Sequence, residues 1–405
     1  RDQLRDTYTQ RIAQFQGAIR HHSRMMNYFS LFRFLSLGLL VYFMVLGVKN
    51  QHALFYSCSG LMVISFLFLV SRYNRQKELR DLNTRLRDLN DRERLCLDHR
   101  FHSYPDGMEY ADLSHPWSHD LDLFGKGSLY QYLNRTSTLN GSALLAGLLT
   151  TEPEYPGVIR QRQGIIGDLR EKTGFRQTFT ARGSMVNEGK DDLPGIRKWL
   201  SVSAYITRHR WLFLLALGIS GIALGIILLG ILRPGGFWFL LPLLLFNWTM
   251  LSPFLVRTNH YQQTISKKHE LLEGYAQLLK IIADTGFDHP DLLVNREKAR
   301  EGMKEVVRLS RLLNVFDQRL NMLLGVVFNG LFLFDFIMLH LLEKWKQRNR
   351  EKIMEWIGIT GWTDAMISLS GFAYNHPDFG LPEIVDAPEF MEMKEVGHPL
   401  ISHEK

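Results

Sequence analysis

The stretch DLDLFGKGSLYQYLNRTSTLNGSALLAGLL, residues 120–149, decides how the middle of this chain folds. Ser128 stands directly before one apolar run, and the hydroxyl triplet at 136–138 stands before a second run, at 142–149. Hydroxyl side chains immediately before apolar runs are typical N-caps of helices. The stretch therefore predicts two short helices that meet at a polar corner. On composition alone, this corner is a packed structural element of a helical domain.

Four long apolar runs lie on either side of this stretch, in two closely spaced pairs. They are residues 31–48, 53–70, 211–232 and 237–256, with short turns at 49–52 and 233–236. Each run is close to the roughly 20 apolar residues that a membrane-spanning helix needs. We therefore expect two transmembrane hairpins, with four buried helices of a soluble protein as the alternative. Within the third run, we expect close helix contacts at Gly218, Gly221 and Gly225.

The first hairpin is flanked by two polar segments that carry apolar stripes at helical spacing. The stripes are Tyr8, Ile12, Phe15 and Ile19 before the hairpin, and Leu79, Leu82, Leu86 and Leu89 after it. Spacings of three and four residues are typical of one face of an α-helix. The pattern predicts an antiparallel helical stalk that leads into the membrane.

Positive charge is concentrated at one end of both hairpins. Lys49 and Arg233 are the basic residues of the two turns, whereas the opposite ends carry Arg72, Arg75, Lys77, Arg208, Arg210, Arg257, Lys267 and Lys268. The positive-inside rule then predicts a multi-pass protein of the inner (cytoplasmic) membrane, with both termini and most of the soluble mass in the cytoplasm. The net charge of +7 suits anionic lipid or nucleic acid without distinguishing them. Two cysteines are too few for a disulfide framework.

The predicted fold class is all-α, with long helical stalks, two transmembrane hairpins and a helical core and lever. The expected units are a stalk with the first hairpin at 1–100, the first half of the core at 101–210, the second hairpin at 211–256, return helices with the second half of the core at 257–380, and a linker at 381–405. A strand is expected to begin within that linker, at Phe390–Met393.

The apolar segment 323–342 contains three polar residues, Asn329, Asp335 and His340. We interpret it as a buried helix that continues through Trp345 to Trp356, with membrane contact as the alternative. In a continuous helix, Asn329 and Asp335 would lie on roughly opposite sides. A buried Asp335 needs a partner, and Arg319 and Lys344 are the candidates.

Motifs for catalysis are not visible in the sequence. The closest approach to a phosphate-binding P-loop is GSMVNEGK at 183–190, which has five residues between its glycines instead of four and Asp191 in place of the hydroxyl residue. The candidate metal ligands are His115, His119, Asp120 and Asp122, with hydrogen-bonded polar groups at a domain corner as the alternative. We therefore expect no catalytic residue, no cofactor and no metal in this chain.

Three patches of sequence resemble the core of the MutS family of DNA mismatch-repair ATPases. They are HPWSHDLDLFGKGSLYQYLNRT at 115–136 with its continuation to Leu149, the helical segment VIRQRQ at 158–163, and the C-terminal DAMISL, PE and GHPL segments at 364–369, 382–383 and 397–400. The first patch resembles a bacterial, membrane-spanning subgroup of that family most closely. The residues that carry the resemblance are Asp120, Asp122, Phe124, Gly125, Ser128, Leu129, Asn134, Arg135, Thr136, Gly141, Asp364, Ser368, Leu369, His398 and Pro399.

The resemblance implies a helical lever attached to an ATPase domain, which would follow Lys405 and bind ATP and Mg²⁺. It also implies a homodimer formed through that domain. The family's N-terminal mismatch-reading domain has no counterpart here, and 211–256 occupies the place of the DNA clamp at the lever tip. We therefore expect the chain to be the non-catalytic, membrane-embedded part of a MutS-like ATPase. The alternative is a membrane-tethered DNA-binding module of mismatch repair or recombination.

Overall fold

A computed structural model describes residues 1–112, 114–152, 155–203, 207–233, 235–265, 268–385 and 391–401. The regular structure in these ranges is helical, which confirms the all-α prediction for the part of the chain described. The predicted strand is not formed at 391–393, and Phe390 lies outside the described residues. In chain order, the α-helices are α1 (Asp2–Asn50), α2 (Ala53–Leu97), α3 (Leu129–Leu133), α4 (Leu139–Thr150), α5 (Pro156–Glu171), α6 (Thr173–Gly183), α7 (Asp192–Ser201), α8 (Arg210–Leu232), α9 (Leu240–Leu251), α10 (Leu255–Ile265), α11 (His269–Asp284), α12 (Pro290–Asp317), α13 (Met322–Phe332), α14 (Phe334–Asn349) and α15 (Lys352–Asn375).

The first stalk and the first hairpin form one unit, because α1 and α2 each run without a break from the polar stalk into the apolar span. Gln51 takes a left-handed conformation in the turn, and the His52 side chain caps α2 by accepting from the Leu54 N–H. Polar contacts between the two helices, such as His22 with Gln76 at 2.7 Å, hold them antiparallel. The predicted helical stalk is therefore confirmed.

Both hairpins expose large apolar side chains. Four segments are long and apolar enough to cross a membrane, namely α1, α2, α8 and the 236–254 segment that contains α9. Phe34, Ile64 and Leu214 are 74%, 66% and 65% exposed. A contiguous apolar surface of this kind is unfavourable in water and indicates association with a membrane.

The segment predicted as one continuous helix through Trp356 is instead broken twice. The chain bends by 89° between α13 and α14, at the left-handed residue Leu333, and α15 begins as a separate helix at Lys352. The bent pair packs against the second hairpin, where Asn247 Nδ2 donates to the Gly330 carbonyl at 2.7 Å and Ser220 Oγ donates to the Phe332 carbonyl at 3.1 Å. These bonds satisfy carbonyl groups next to the break.

The bend brings together side chains that a straight helix would separate. Asn329 Nδ2 donates to Asp335 Oδ1 at 3.1 Å, so the prediction that they lie on opposite sides is wrong. The Arg319 guanidinium pairs with Asp335 at 2.8 Å, which identifies Arg319 rather than Lys344 as the partner. The predicted contacts at Gly218, Gly221 and Gly225 are also wrong, because a Cβ at each would meet open space. The close approach in α8 is instead at Gly230, against Phe237.

The helical core is built on α15, which packs against α4, α5 and α12. The antiparallel pair α11 and α12 carries a continuous apolar face and joins the second hairpin to this core. Trp199 and Trp356 are among the largest side chains that are fully buried there. Burial of such apolar area is the main driving force that places α15 at the centre. The core is therefore assembled from segments before and after the second hairpin in the chain, and it contacts both stalk helices.

Candidate functional site: the helical corner and the stalk–core junction

The helical corner predicted between α3 and α4 is closed by one carboxylate from α15. Asp364 is fully buried, and its Oδ2 accepts hydrogen bonds from the Ser137 N–H at 2.8 Å, the Thr138 N–H at 2.8 Å and the Thr138 hydroxyl at 2.9 Å. Thr138 also caps α4 by accepting from the Gly141 N–H at 3.0 Å. A Cβ at Gly141 would lie 2.6 Å from Asp364, so this position requires glycine. We call these four residues the Asp364 corner.

Burial sets the protonation of the Asp364 corner. Loss of solvent raises the pKa of Asp364 from 3.8 to about 6, although the hydrogen bonds from Ser137 and Thr138 lower it. The carboxylate is the acceptor of backbone N–H groups at the N-terminus of α4, where the helix dipole also favours negative charge. Asp364 therefore ties α15 to α4 at an electrostatic cost that depends on pH.

Neighbouring polar groups complete the corner. Asn134 Oδ1 accepts from the Thr136 N–H at 3.0 Å and the Thr136 hydroxyl at 2.7 Å, and Ser368 Oγ accepts from the Arg135 N–H at 3.0 Å. Glu188 belongs to the GSMVNEGK stretch at 183–190. Its carboxylate accepts from the Leu139 N–H at 2.8 Å and so provides a partner for the first backbone N–H of α4. The 183–190 stretch therefore stabilises the corner through the Glu188 side chain.

A second polar cluster connects this corner to the stalk. Arg135 Nε pairs with Glu93 Oε1 at 2.5 Å, and Glu93 Oε2 accepts from Asn375 Nδ2 at 2.7 Å. Asn375 Oδ1 in turn accepts from the Tyr8 hydroxyl at 2.6 Å. The chain of contacts runs from α1 to the end of α15, from there to α2, and from α2 to the corner. We call Tyr8, Glu93, Tyr104, Arg135 and Asn375 the stalk–core junction.

The ions of the stalk–core junction are removed from solvent. The side chains of Arg135 and Glu93 are only 11% and 8% exposed, and the Arg135 guanidinium lies 4.1 Å from the centroid of the Tyr104 ring. Burial lowers the pKa of Arg135, but Glu93, Tyr104 and Cys96 together outweigh it and hold that pKa above its ordinary value. For the Tyr8 hydroxyl, burial raises the pKa, and the negative charge of Glu93 raises it further. The junction is therefore a charged pair maintained by its neighbours.

α6 contributes a further cation next to the junction. Arg176 is buried, donates to the Arg170 carbonyl at 3.0 Å and lies over the Tyr374 ring at 4.8 Å, and burial lowers its pKa. A cavity of about 30 Å³ separates it from Tyr8 and Glu93. This volume is sufficient for one water molecule, which needs polar partners of this kind. The arrangement therefore positions helices relative to one another.

The candidate metal ligands are not brought together. His115 Nε2 lies 2.9 Å from the Thr150 carbonyl and its Nδ1 accepts from the Ser118 N–H at 3.2 Å, so both ring nitrogens are engaged. His119, Asp120 and Asp122 are exposed. Across the described ranges, no group of three His, Cys, Asp or Glu side chains could hold a metal ion. Hydrogen bonding at a domain corner, the alternative interpretation, matches this geometry.

The remaining residues of the resemblance have local structural roles. Ser128 caps α3 by accepting from the Gln131 N–H at 3.2 Å, Gly125 adopts a φ of 103°, and the Phe124 ring lies 5.5 Å from Tyr130. Leu129 is the first residue of α3, and Leu369 packs against the apolar cores around the corner. His398 and Pro399 lie outside the corner, where His398 Nδ1 accepts from the Leu400 N–H at 3.3 Å.

Sequence reasoning missed the stalk half of the junction. Glu93 and Cys96 continue the spacing of the leucine stripe of α2 by four and three residues, so a charge occupies a position on the buried face. The position of Glu93 on the apolar stripe was the signal that could have indicated a buried ion pair, because a buried carboxylate needs a partner. Tyr8 belongs to the predicted stripe of α1, but its hydroxyl contact with Asn375 could not be inferred from spacing.

No protein-family model matches the chain, no curated protein does so, and no solved structure is significantly similar. The resemblance to the MutS family therefore depends on the sequence patches given above alone.

Proposed function

We propose that this chain is the non-catalytic, membrane-embedded core and lever of a MutS-like ATPase, and that it transmits nucleotide-driven motion to the membrane. The observation that carries the proposal is the stalk–core junction. Through it, Arg135 of the resembling stretch forms a buried ion pair with Glu93 of a helix that continues into an apolar span. Any displacement of the corner is thereby imposed on the stalk.

The burial of the stalk–core junction supports coupled motion of the core and the stalk rather than a simple attachment between them. Separating a buried ion pair leaves charges without solvent, which costs several kcal/mol. Motion of the core is therefore less costly when the stalk moves with it than when the pair separates. Both stalk helices are held, since Tyr8 belongs to α1 and Glu93 to α2.

The second hairpin is also connected to the core in a way suited to a lever. α11 and α12 pack side by side along an apolar face, and Gly302 of α12 lies against the Trp356 side chain of α15. The other end of α12 leads through Arg319 to the bent pair beside the hairpin. A pair of packed helices moves as a rigid body and carries displacement along its length.

The proposal is tested with the natural protein that contains this chain, purified from its membrane. Spin labels at Asn74→Cys on α2 and Val294→Cys on α12, both exposed positions, report the distance between the stalk and the lever. Cys58 is replaced by serine, and Cys96 is buried. We expect ATP turnover and a change in the label distance when MgATP binds. A protein that neither hydrolyses ATP nor changes this distance would refute the proposal.

The second candidate function is a membrane-tethered DNA-binding module, with which the net charge of +7 is also compatible. Binding to phosphates would fall steeply with salt. The test is anisotropy of labelled duplex DNA with the detergent-solubilised chain at low and high salt. Salt-dependent binding would support this candidate, and no binding at low salt would eliminate it.

A further inference from the structure

A basic cavity lies at the end of α8 that is nearest to the core. It has a volume of about 510 Å³ and is lined by Thr207, Arg210, Phe213, Leu214, His340, Lys344 and Gln347. Trp211, which follows the lining residue Arg210 in the chain, is 54% exposed at the start of the apolar span. Tryptophan at this position is typical of the boundary between lipid and water. The cavity is therefore located where lipid headgroups would lie if α8 spans a bilayer.

The charges in the cavity are suited to an anion. Arg210 and Lys344 are both exposed, and neither forms an ion pair with any residue that the structure describes. The nearby carboxylate of Glu343 is buried and accepts from the Thr207 N–H at 2.7 Å and the Thr207 hydroxyl at 3.0 Å. The Glu343 carboxylate is thus hydrogen-bonded within the protein, whereas Arg210 and Lys344 line the cavity.

The remaining walls of the cavity differ in polarity. Gln347 Nε2 donates to the Thr207 hydroxyl at 2.8 Å and forms part of the polar side. On the other side, the Phe213 and His340 rings stack with centroids 4.0 Å apart, next to the 65% exposed Leu214. His340 Nδ1 is buried and has no hydrogen-bond partner in the described part of the chain. A ligand with a phosphate at one end and an apolar chain at the other matches both walls.

We propose that this cavity binds the phosphate headgroup of an anionic phospholipid, with Arg210 and Lys344 as the phosphate ligands. The acyl chains would extend along Leu214 and the apolar surface of α8. This inference relies on the membrane embedding in the proposed function, but not on an ATPase or on lever motion. Its consequence is a preference of the second hairpin for anionic lipid.

The test is titration of the detergent-solubilised full chain with phosphatidylglycerol and with phosphatidylcholine, followed by native mass spectrometry. We expect saturable binding of phosphatidylglycerol that weakens about 30-fold in the double variant Arg210→Gln/Lys344→Gln, because each cation near anionic lipid contributes about a factor of five. The charge-preserving variant Arg210→Lys/Lys344→Arg should retain binding. This second variant separates loss of charge from a folding defect.

The matched control is Arg75→Gln/Lys77→Gln, which removes the same charge from exposed positions on α2 at the corresponding end of the first hairpin. We expect it to bind phosphatidylglycerol as the wild type does. Equal losses in the two glutamine variants would show general electrostatic attraction and overturn the site. Inorganic phosphate that competes at the affinity of the lipid would identify a free anion as the ligand and overturn the lipid assignment.

Failure of the site and failure of membrane embedding give different results. Flotation of the chain with phosphatidylcholine vesicles reports embedding without any anionic headgroup. A chain that floats but shows no preference for phosphatidylglycerol would contradict the site alone. A chain that does not float would contradict the proposed function as well.

Discussion

Asp364 shows how one buried carboxylate can organise a helical corner. It satisfies two backbone N–H groups and a hydroxyl that precede α4, and it comes from a helix more than two hundred residues further along the chain. Each buried N–H without a partner would cost about 1–3 kcal/mol. The corner is therefore stabilised by hydrogen bonds but destabilised by the ionisation of the acid that accepts them.

Asp364→Asn is expected to change the pH dependence of stability. The folded carboxyl keeps its proton up to a pKa of about 6 and the unfolded one up to 3.8, so the folded state binds more protons in between. The stability of the wild type should thus fall relative to Asp364→Asn as pH rises through this window, by roughly 3 kcal/mol at about 1.4 kcal/mol per pKa unit. Thermal unfolding followed by circular dichroism measures the difference.

Asp168→Asn is the control, because the expected change of stability with pH has the opposite sign. Burial raises the pKa of Asp168, but hydrogen bonds from the His289 and Asp288 N–H groups and from Lys172 hold it below 3.8. The wild type should therefore gain stability over Asp168→Asn as pH rises through that lowered pKa. The same slope in both variants would contradict the assignment of these effects to Asp364 and Asp168.

Glu93→Ala should strongly destabilise the attachment of the stalk. It leaves the buried Arg135 guanidinium without its carboxylate, which typically costs 3–5 kcal/mol. The matched control is Glu78→Ala on the same helix, which removes a more exposed ion pair with Arg182 and should cost less than about 1 kcal/mol. Chemical denaturation in detergent compares the two, and similar losses would argue against a special role for the junction.

At the scale of elements, the bend between α13 and α14 depends on side chains brought to a helix break. Leu333 is left-handed and fully buried, and Asn329 Oδ1 accepts from the Asp335 N–H at 2.9 Å just after it. A left-handed leucine costs roughly 1–3 kcal/mol and persists only when its surroundings stabilise it. The Arg319–Asp335 pair and the bonds from Ser220 and Asn247 supply that stabilisation.

A double-mutant cycle tests the ion pair at this bend. Arg319→Ala and Asp335→Ala should each cost about 3–5 kcal/mol, because each leaves a buried partner charge, and the double variant should cost clearly less than their sum. The control cycle uses Lys298 and Glu355, a pair whose side chains are 46% and 47% exposed. It should show coupling below about 1 kcal/mol. Additive losses of stability at Arg319 and Asp335 would show that the ion pair does not stabilise the bend.

At the scale of the whole molecule, two hairpins with exposed apolar surfaces are joined to a buried core by polar contacts and by a packed pair of helices. The first is held through the stalk–core junction, and the second through the bent pair and the α11–α12 pair. Apolar surfaces of this extent need lipid, whereas the core needs water around its charged exterior. The exposed apolar surfaces therefore indicate that the two hairpins are the parts of the chain that associate with a membrane.

The orientation of the hairpins is a prediction of the positive-inside rule. Single cysteines at Lys49→Cys and Arg233→Cys, with Cys58 replaced by serine, should react with an impermeant maleimide added outside intact cells. Val294→Cys, an exposed position on α12, should react only after the membrane is opened. Labelling of Val294→Cys in intact cells, or of the two turns from opposite sides, would show that the predicted topology is wrong.

Sequence alone determined the elements whose formation depends on neighbours in the chain. The apolar runs, the stripes of the stalk and the hydroxyl residues before α3 and α4 are local patterns, because helix periodicity and N-capping act over one or two turns. They correctly predicted the stalk, the candidate spans and the corner. The continuous helix through Trp356 is a local prediction that failed, since packing can override a weak local preference. The strand predicted in the linker is not formed at 391–393, where the Met391 and Met393 side chains are exposed.

Tertiary structure alone decided which polar groups meet. Asp364 reaches Ser137 and Thr138, and Glu93 reaches Arg135, across separations over which sequence spacing carries no information. A buried charge requires a partner, but only the packed arrangement of helices shows which residue supplies it. The bend at Leu333 has the same origin, because its cost is offset by contacts from the neighbouring hairpin. The polar junctions of this protein are therefore a property of its packing.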